Sequence, residues 1–275
     1  MTHRLSSAVW LELHYAVCRS EYERLAAMAG FAAGERLLDA GCGAGSYAHA
    51  LRRHIGTAGV LVGCDILESN VSRALGRSGP AGYDEVVRAG LNDLPFPDAS
   101  FDGIWCANVL QLLDDASLRQ ALSEMRRVLR PGGRVAVKDV DMLLWRVHPL
   151  DPLLLPRLMQ ASLRSEAASV ETRGALRGRA LRRALEEAGF EAAGQVTTLI
   201  ERWAPLDSGA KSMYAEWLRF FAGIAEERGA SAADVAAWRA AAGESGSPGI
   251  VEDPAFYACE GQVLALARKP ASRSS

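Results

Sequence analysis

The sequence predicts an α/β fold built on a mainly parallel sheet. Three observations carry that expectation. Short apolar runs recur along the chain, each followed by a stretch of helical periodicity. The steps between them are long enough for crossover connections. And one run, in "LLDAGCGAGSYAHAL" (residues 37–51), passes through an aspartate into three closely spaced glycines and then a helical pattern.

From about Leu5 to Ala29, apolar residues fall at helical spacing (Val9, Leu13, Ala16, Val17), so one or two helices precede the first strand. "ERLLDAG" reads as a short buried strand ending at Asp39, with a helix from Ser46 onward. "GVLVGCDI" is a second strand, and "SNVSRALGR" a helix with Ser69 as its N-cap. "YDEVVRAG" and "SFDGIWCANV" supply the third and fourth strands, the latter leading into the helix "ASLRQALSEMRRVL". Pro131, Gly132 and Gly133 stop that helix ahead of a fifth strand, "GRVAVKDVD".

Beyond Asp141 the rhythm changes. "RGRALRRALEEAGF" reads as a helix ended by Gly189, followed by a sixth strand, "EAAGQVTTLIERW", and a seventh, "FYACEGQVLALARK". Two insertions, residues 142–173 and 204–250, have helical character, and in the second Met213, Trp217, Phe220 and Phe221 share a face. The expected organisation is one domain over 1–275, with an N-terminal helical lid (1–34), a core (35–141) and the two insertions as a helical cap. Only the last few residues read as disordered.

Composition narrows the function classes. At 275 residues the chain can bury a sizeable core without staples. A formal net charge of −2 leaves no electrostatic footprint for nucleic acid or an anionic membrane. The cysteines at 18, 42, 64, 106 and 259 are odd in number and never spaced as CxxC, which argues against a disulfide framework and a zinc module. No metal site is expected; Cys42, Cys64 and Cys106 read as small apolar packing at the strand ends. The N-terminal segment carries charges through its apolar stripe, unlike a signal peptide or a membrane span, so the expectation is a soluble cytoplasmic chain.

The glycine loop carries the chemistry. A loop between strand and helix brings backbone N–H groups and the helix's positive end onto a ligand. A dinucleotide fingerprint, GxGxxG, follows an apolar strand end. Here the third glycine comes one position early (Gly41, Gly43, Gly45) and Asp39 leads. An acid there suits a ligand with a cationic amine beside an anionic end, as in an amino acid. Asp65, ending "LVGCD", stands where a carboxylate accepts the two hydroxyls of a ribose. A ligand with an amino-acid end and a nucleoside end fits S-adenosylmethionine.

Through "LLDAGCGAG", "GCDI", "LNDLPFPDASFDGIWCANVL" and "MRRVLRPGGRVAVKD", in that order, the chain resembles the class I S-adenosylmethionine-dependent methyltransferases, in particular the ubiquinone-biosynthesis-type branch. The resemblance covers roughly Glu35 to Val140. It implies a Rossmann-like, doubly wound, seven-stranded sheet with the last strand antiparallel. It also implies a methionine-end contact around Asp39, Gly41, Cys42 and Gly43, a ribose contact at Asp65 and adenine packing against Ile66. Relatives usually carry an aspartate where this chain has Gly90, which passes adenine recognition to Leu91, Asn92 or Asp93. They also often carry a histidine where this chain has Gln111. Ala107 and Asn108, at the end of the fourth strand, complete the expected cofactor contacts. "ANVLQ" lacks the "NPPY"-like stretch of nucleic-acid amino-methyltransferases.

For methyl transfer the expected acceptor is a small, apolar or aromatic metabolite, given the aromatics of the capping segments. A general base is required only for a neutral acceptor. The candidates are His14 and Tyr15 in the N-terminal helix, and Asp141 and His148 after the fifth strand. The alternatives are an NAD(P)-dependent oxidoreductase and a cofactor-binding module without transferase activity. The aromatic-rich insertion suits a homo-oligomer contact as well as a pocket cover.

Overall fold

The computed structural model describes residues 7–164, 166–244 and 248–271. The start of the expected N-terminal helix at Leu5 and the expected disorder at the extreme C-terminus lie outside them. α1 (Ala8–Val17) begins where Ser7 accepts from the Trp10 N–H at 3.3 Å, and α2 (Arg19–Met28) follows directly.

The sheet forms from β1 (Arg36–Ala40), β2 (Val60–Asp65), β3 (Glu85–Arg88), β4 (Phe101–Ala107), β5 (Leu129–Val140), β6 (Arg146–His148), β7 (Glu191–Trp203) and β8 (Tyr257–Arg268). Its spatial order is β3-β2-β1-β4-β5-β8, with β7 on the far side of β8. The first five strands pair in parallel, and β8 runs antiparallel to both β5 and β7. The crossover helices are α3 (Ala48–Ile55), α4 (Glu68–Leu75), α5 (Asp115–Val128) and, later, α8 (Leu181–Glu187). Alternation along β1 sends Leu37 to one core, and Leu38 and Ala40 to the other. The α5 stripe of Leu118, Leu122 and Met125 fills the second core. The first core continues upward into the lid and cap.

The α/β class and the antiparallel last strand are as expected, and three local expectations are corrected. The sheet has an eighth strand, β6, inside the insertion expected to be helical. It pairs with Tyr257–Cys259 of β8 where β5 has stopped, resuming the same edge. Three residues are too few to show a strand period. Ser69 is not an N-cap: α4 starts at Glu68, and Asp65 takes the Leu67 N–H at 2.9 Å and the Asn70 amide at 3.2 Å instead. Pro131-Gly132-Gly133 does not end α5, which stops at Val128. The turn lies inside β5, where the register with β4 shifts between Phe101 and Gly103.

Above the sheet sit α6 (Leu154–Ser162), α7 (Glu166–Ala175), α9 (Ser208–Glu227) and α10 (Ala232–Ala241). Aromatic contacts hold α9 to the segment before β6 and to α10: Trp145 meets Trp217 edge-on with centroids 4.7 Å apart and Phe221 at 5.2 Å, and Phe221 meets Trp238 at 5.0 Å.

Candidate active site

Parallel strands deliver their carboxyl ends to one edge of the sheet, so the loops after β1, β2 and β4 converge there. They open into a cavity of about 360 Å³ roofed by α1, α7 and α9, within the size range of small-molecule sites. One end is lined by Gly41, Gly43, Asp65, Ile66 and the Gly90–Asn92 segment, and the other by Trp10, His14, Met142, Met159, Trp217 and Phe221.

The loop after β1 needs its glycines twice over. Gly41 (φ +77°) and Gly43 (φ +54°) occupy the left-handed region. A Cβ on Gly41 would lie 2.4 Å from the Val109 side chain, and one on Gly43 2.9 Å from Leu11. The Gly41 and Cys42 N–H groups both donate to the Cys64 carbonyl at 2.8 Å, tying the loop to β2. Asp65 completes the tie, accepting from the Gly43 N–H at 2.9 Å.

Whether these residues fit a nucleoside follows from what the wall leaves open. An ionised carboxylate has about four lone-pair sites, and Asp65 spends three, on Gly43, Leu67 and Asn70. It remains on the cavity wall as an acceptor for a diol. Ile66 is 64% exposed there, facing the bare backbone of Gly90, where a Cβ would come within 3.5 Å of it. The pair frames an apolar slot for a flat ring. Asn92 Oδ1 is buried with no hydrogen-bond partner among the described residues, an acceptor waiting for an amine proton. An adenosine moiety matches this set of groups. Leu91 is buried beside them, and Ala107 and Asn108 line the floor. The Asn108 side chain is committed: its Oδ1 accepts from Lys138 Nζ at 2.8 Å, at a backbone φ of +59°.

Two expected contacts are not brought to the wall. Asp39 lies behind the loop, fully buried, where its Oδ2 accepts from the Tyr83 hydroxyl at 2.6 Å. Burial pushes its carboxyl up to about 7, and its side chain is not part of the cavity wall. Cys42 is likewise set back, its Sγ directed to the Gly43 carbonyl, and burial raises its thiol. The strand end was legible; which way its side chain turned was not.

Of the four candidate bases, only His14 reaches the cavity. Tyr15 packs edge-on against Tyr47 with centroids 4.9 Å apart, and burial pushes its phenol up to about 12. Asp141 caps a short 3-10 turn, accepting from the Leu143 N–H at 3.1 Å, with Arg179 at 3.6 Å. His148 sits exposed on β6 opposite Tyr257.

Behind His14 lies a buried polar group that the sequence reading did not single out. Glu260, in the middle of β8, stands 2.9 Å from His14 Nε2. It also accepts from Gln262 Nε2 at 3.1 Å, the Tyr214 hydroxyl at 3.4 Å and Cys18 Sγ at 3.9 Å. Burial alone would raise its carboxyl, but His14, Lys138 and Tyr214 together hold it below the usual range. Lys138, itself fully buried and lowered by burial, lies 4.0 Å over the Tyr22 ring. His14, Cys18 and Glu260 are close enough to share a metal ion. The neighbouring ammonium of Lys138, and a thiol whose proton is held by burial, instead suit a hydrogen-bond network. One signal could have found Glu260: an acid set inside an apolar run destined for a buried strand.

Comparison with known proteins agrees with this architecture. Residues 38–137 match the family described as a methyltransferase domain. The chain is 42% identical over 122 residues to the 27-O-demethylrifamycin SV methyltransferase of Amycolatopsis mediterranei, a match covering 42% of this chain and 43% of that one. It is 34% identical over 174 residues to the ubiquinone/menaquinone biosynthesis C-methyltransferase UbiE of Vibrio cholerae, covering 58% and 65%. The match thus spans about two-fifths of the length of the curated relatives that come first. Among solved structures, phosphoethanolamine N-methyltransferase 2 of Haemonchus contortus superposes with a TM-score of 0.56 at 14% identity, over 98% of this chain and 58% of that one, showing a shared fold.

Proposed function

We propose that this chain is a class I S-adenosylmethionine-dependent methyltransferase, as its match to a methyltransferase domain and its likeness to UbiE support, and that it transfers a methyl group from S-adenosylmethionine to a small, largely apolar acceptor. The observation that carries the proposal is the continuity of the cavity: its nucleoside-suited end and its aromatic end are one space.

The cofactor, when bound, supplies an activated methyl on a sulfonium. The chain's own work is binding, orientation and exclusion of water. Asp65 holds the ribose diol. Ile66 and the Gly90 backbone sandwich the adenine, with Asn92 as acceptor for its amine. Gly41 and Gly43 let the backbone approach the methionine end. Trp10, Trp217 and Phe221 form the apolar wall that positions the acceptor and sheds water.

In this organisation the described residues of 1–34 are the lid, 35–141 the cofactor-binding core, and the described residues of 142–173 and 204–250 the cap. A cavity roofed by helices suits a metabolite better than a nucleic acid. The relatives from Amycolatopsis and Vibrio, named for O-methylation and C-methylation, both support a small-molecule acceptor. Among the described residues, no helix is long and apolar enough to cross a membrane.

Calorimetric titration with S-adenosylmethionine and S-adenosylhomocysteine tests the proposal, with NADH as the control. Saturable binding of both sulfur ligands is expected. Binding of NADH alone would transfer the site to the oxidoreductases.

A further inference from the structure

We propose that His14 and Glu260 form a base dyad at the acceptor end of the cavity, His14 taking the acceptor's proton and Glu260 positioning its ring, so that the acceptor group is a neutral hydroxyl. This rests on the methyltransferase reading above and specifies its chemistry.

The geometry assigns the two ring nitrogens. A carboxylate can only accept, so at 2.9 Å from Glu260 it is the Nε2 of His14 that carries the hydrogen. The lone pair is left on Nδ1. Among the described residues, the Tyr22 hydroxyl is the hydrogen-bonding neighbour of Nδ1, 3.5 Å away and 3.3 Å from Nε2, well beyond the usual O–H donor distance of about 2.7–2.8 Å. Nδ1 is therefore left available to a stronger partner. Trp10 stacks on the imidazole with centroids 5.3 Å apart and Trp217 tilts beside it at 6.4 Å, confining the ring between two walls of the same cavity.

Glu260 is fixed in turn. Gln262 and Tyr214 donate to it from β8 and α9, and Lys138 stands near it on β5 as the buried countercharge. Base, orienting acid and the support of that acid thus come from different elements, an arrangement general to activated bases. An amine acceptor that arrives as the free base needs no such group. A hydroxyl does, because its oxygen is a poor nucleophile until the proton leaves.

In the step inferred, the acceptor's O–H proton passes to His14 Nδ1. The oxygen pair forms the new O–CH3 bond while the electrons of the S–CH3 bond remain on sulfur. The resulting imidazolium, paired with Glu260, returns its proton to solvent.

The test uses full-length protein with three probes and labelled S-adenosylmethionine: β-naphthol, a neutral hydroxyl at assay pH; p-nitrophenol, largely ionised; and aniline. His14→Gln is expected to lower transfer to β-naphthol by about 10²–10⁴-fold, and transfer to p-nitrophenol by less than about tenfold. Glu260→Gln should release the His14 ring from its single Nε2–H tautomer, because an amide side chain can donate as well as accept and no longer obliges Nε2 to be the donor. The other titratable groups facing the ring and its partner, Cys18, Tyr22, Tyr214 and Lys138, are unchanged in that variant. Nitrogen-15 NMR of the S-adenosylhomocysteine complex gives a readout besides activity. The wild type should show His14 as the Nε2–H tautomer, with its Nδ1 signal moving on addition of β-naphthol. S-adenosylhomocysteine affinity within about threefold of wild type, a bound well under one factor of ten in Kd, confirms that each variant is folded. Equal losses on both phenols, unchanged rates, an Nδ1–H tautomer, transfer confined to aniline, or no transfer to either phenol by a wild type that binds the cofactor would overturn the dyad. A wild type that binds no cofactor would remove the methyltransferase reading itself.

Discussion

Tyr83 donates its hydroxyl hydrogen to Asp39 across 2.6 Å, beneath the glycine loop rather than within the cavity. The Tyr83 ring lies close against Gly45 and Gly63, where an added Cβ would come within 3.0 Å of it. The acid that leads the loop is thus an anchor for the loop's floor, and its buried carboxyl makes that anchor sensitive to pH.

Asp39 has its carboxyl raised by burial from 3.8 to about 7. A raised folded-state value means that the folded protein binds the proton more tightly than the unfolded chain. The stabilisation is full below about pH 4 and is lost as pH rises through about 7, by up to about 4 kcal/mol. Asp39→Asn keeps an acceptor for Tyr83 but cannot ionise. Urea midpoints measured across this window should fall for wild type relative to the variant as pH rises; parallel profiles would show that Asp39 does not titrate there.

Asp65 joins the glycine loop, the start of α4 and the expected ribose through one carboxylate. Asp65→Ala should weaken S-adenosylhomocysteine binding by about 1–3 kcal/mol, roughly 5- to 150-fold in Kd. Asp65→Asn, which retains one acceptor oxygen, should fall between. Calorimetry decides, and an unchanged Kd in the alanine variant would place the ribose elsewhere.

Gly90 has room for a side chain: an added Cβ would make only an ordinary 3.5 Å contact with Ile66. An aspartate there would add an acceptor beside the adenine slot. Gly90→Asp should tighten S-adenosylhomocysteine by roughly 2- to 10-fold, the worth of one hydrogen bond of about 0.5–1.5 kcal/mol. Weaker binding, with melting temperature unchanged, would mean that the slot is not where adenine lies.

The strand-and-helix rhythm, the glycine loop, Asp65 and the apolar aromatic cap were legible in the sequence. Each depends on a local cause: residue periodicity, the left-handed backbone at Gly41 and Gly43, or the end of a strand. What stayed hidden depended on distance along the chain. β6 is a strand only because β8 offers it an edge. Asp39 turned inward because Tyr83, 44 positions on, offers it a hydroxyl. Glu260 and His14 are separated by 246 positions, and no spacing rule links them. Local sequence determined which elements form and where the glycine loop stands. Only folding decided which buried charges become partners, because desolvation makes each polar group find its counterpart wherever the sheet brings one near.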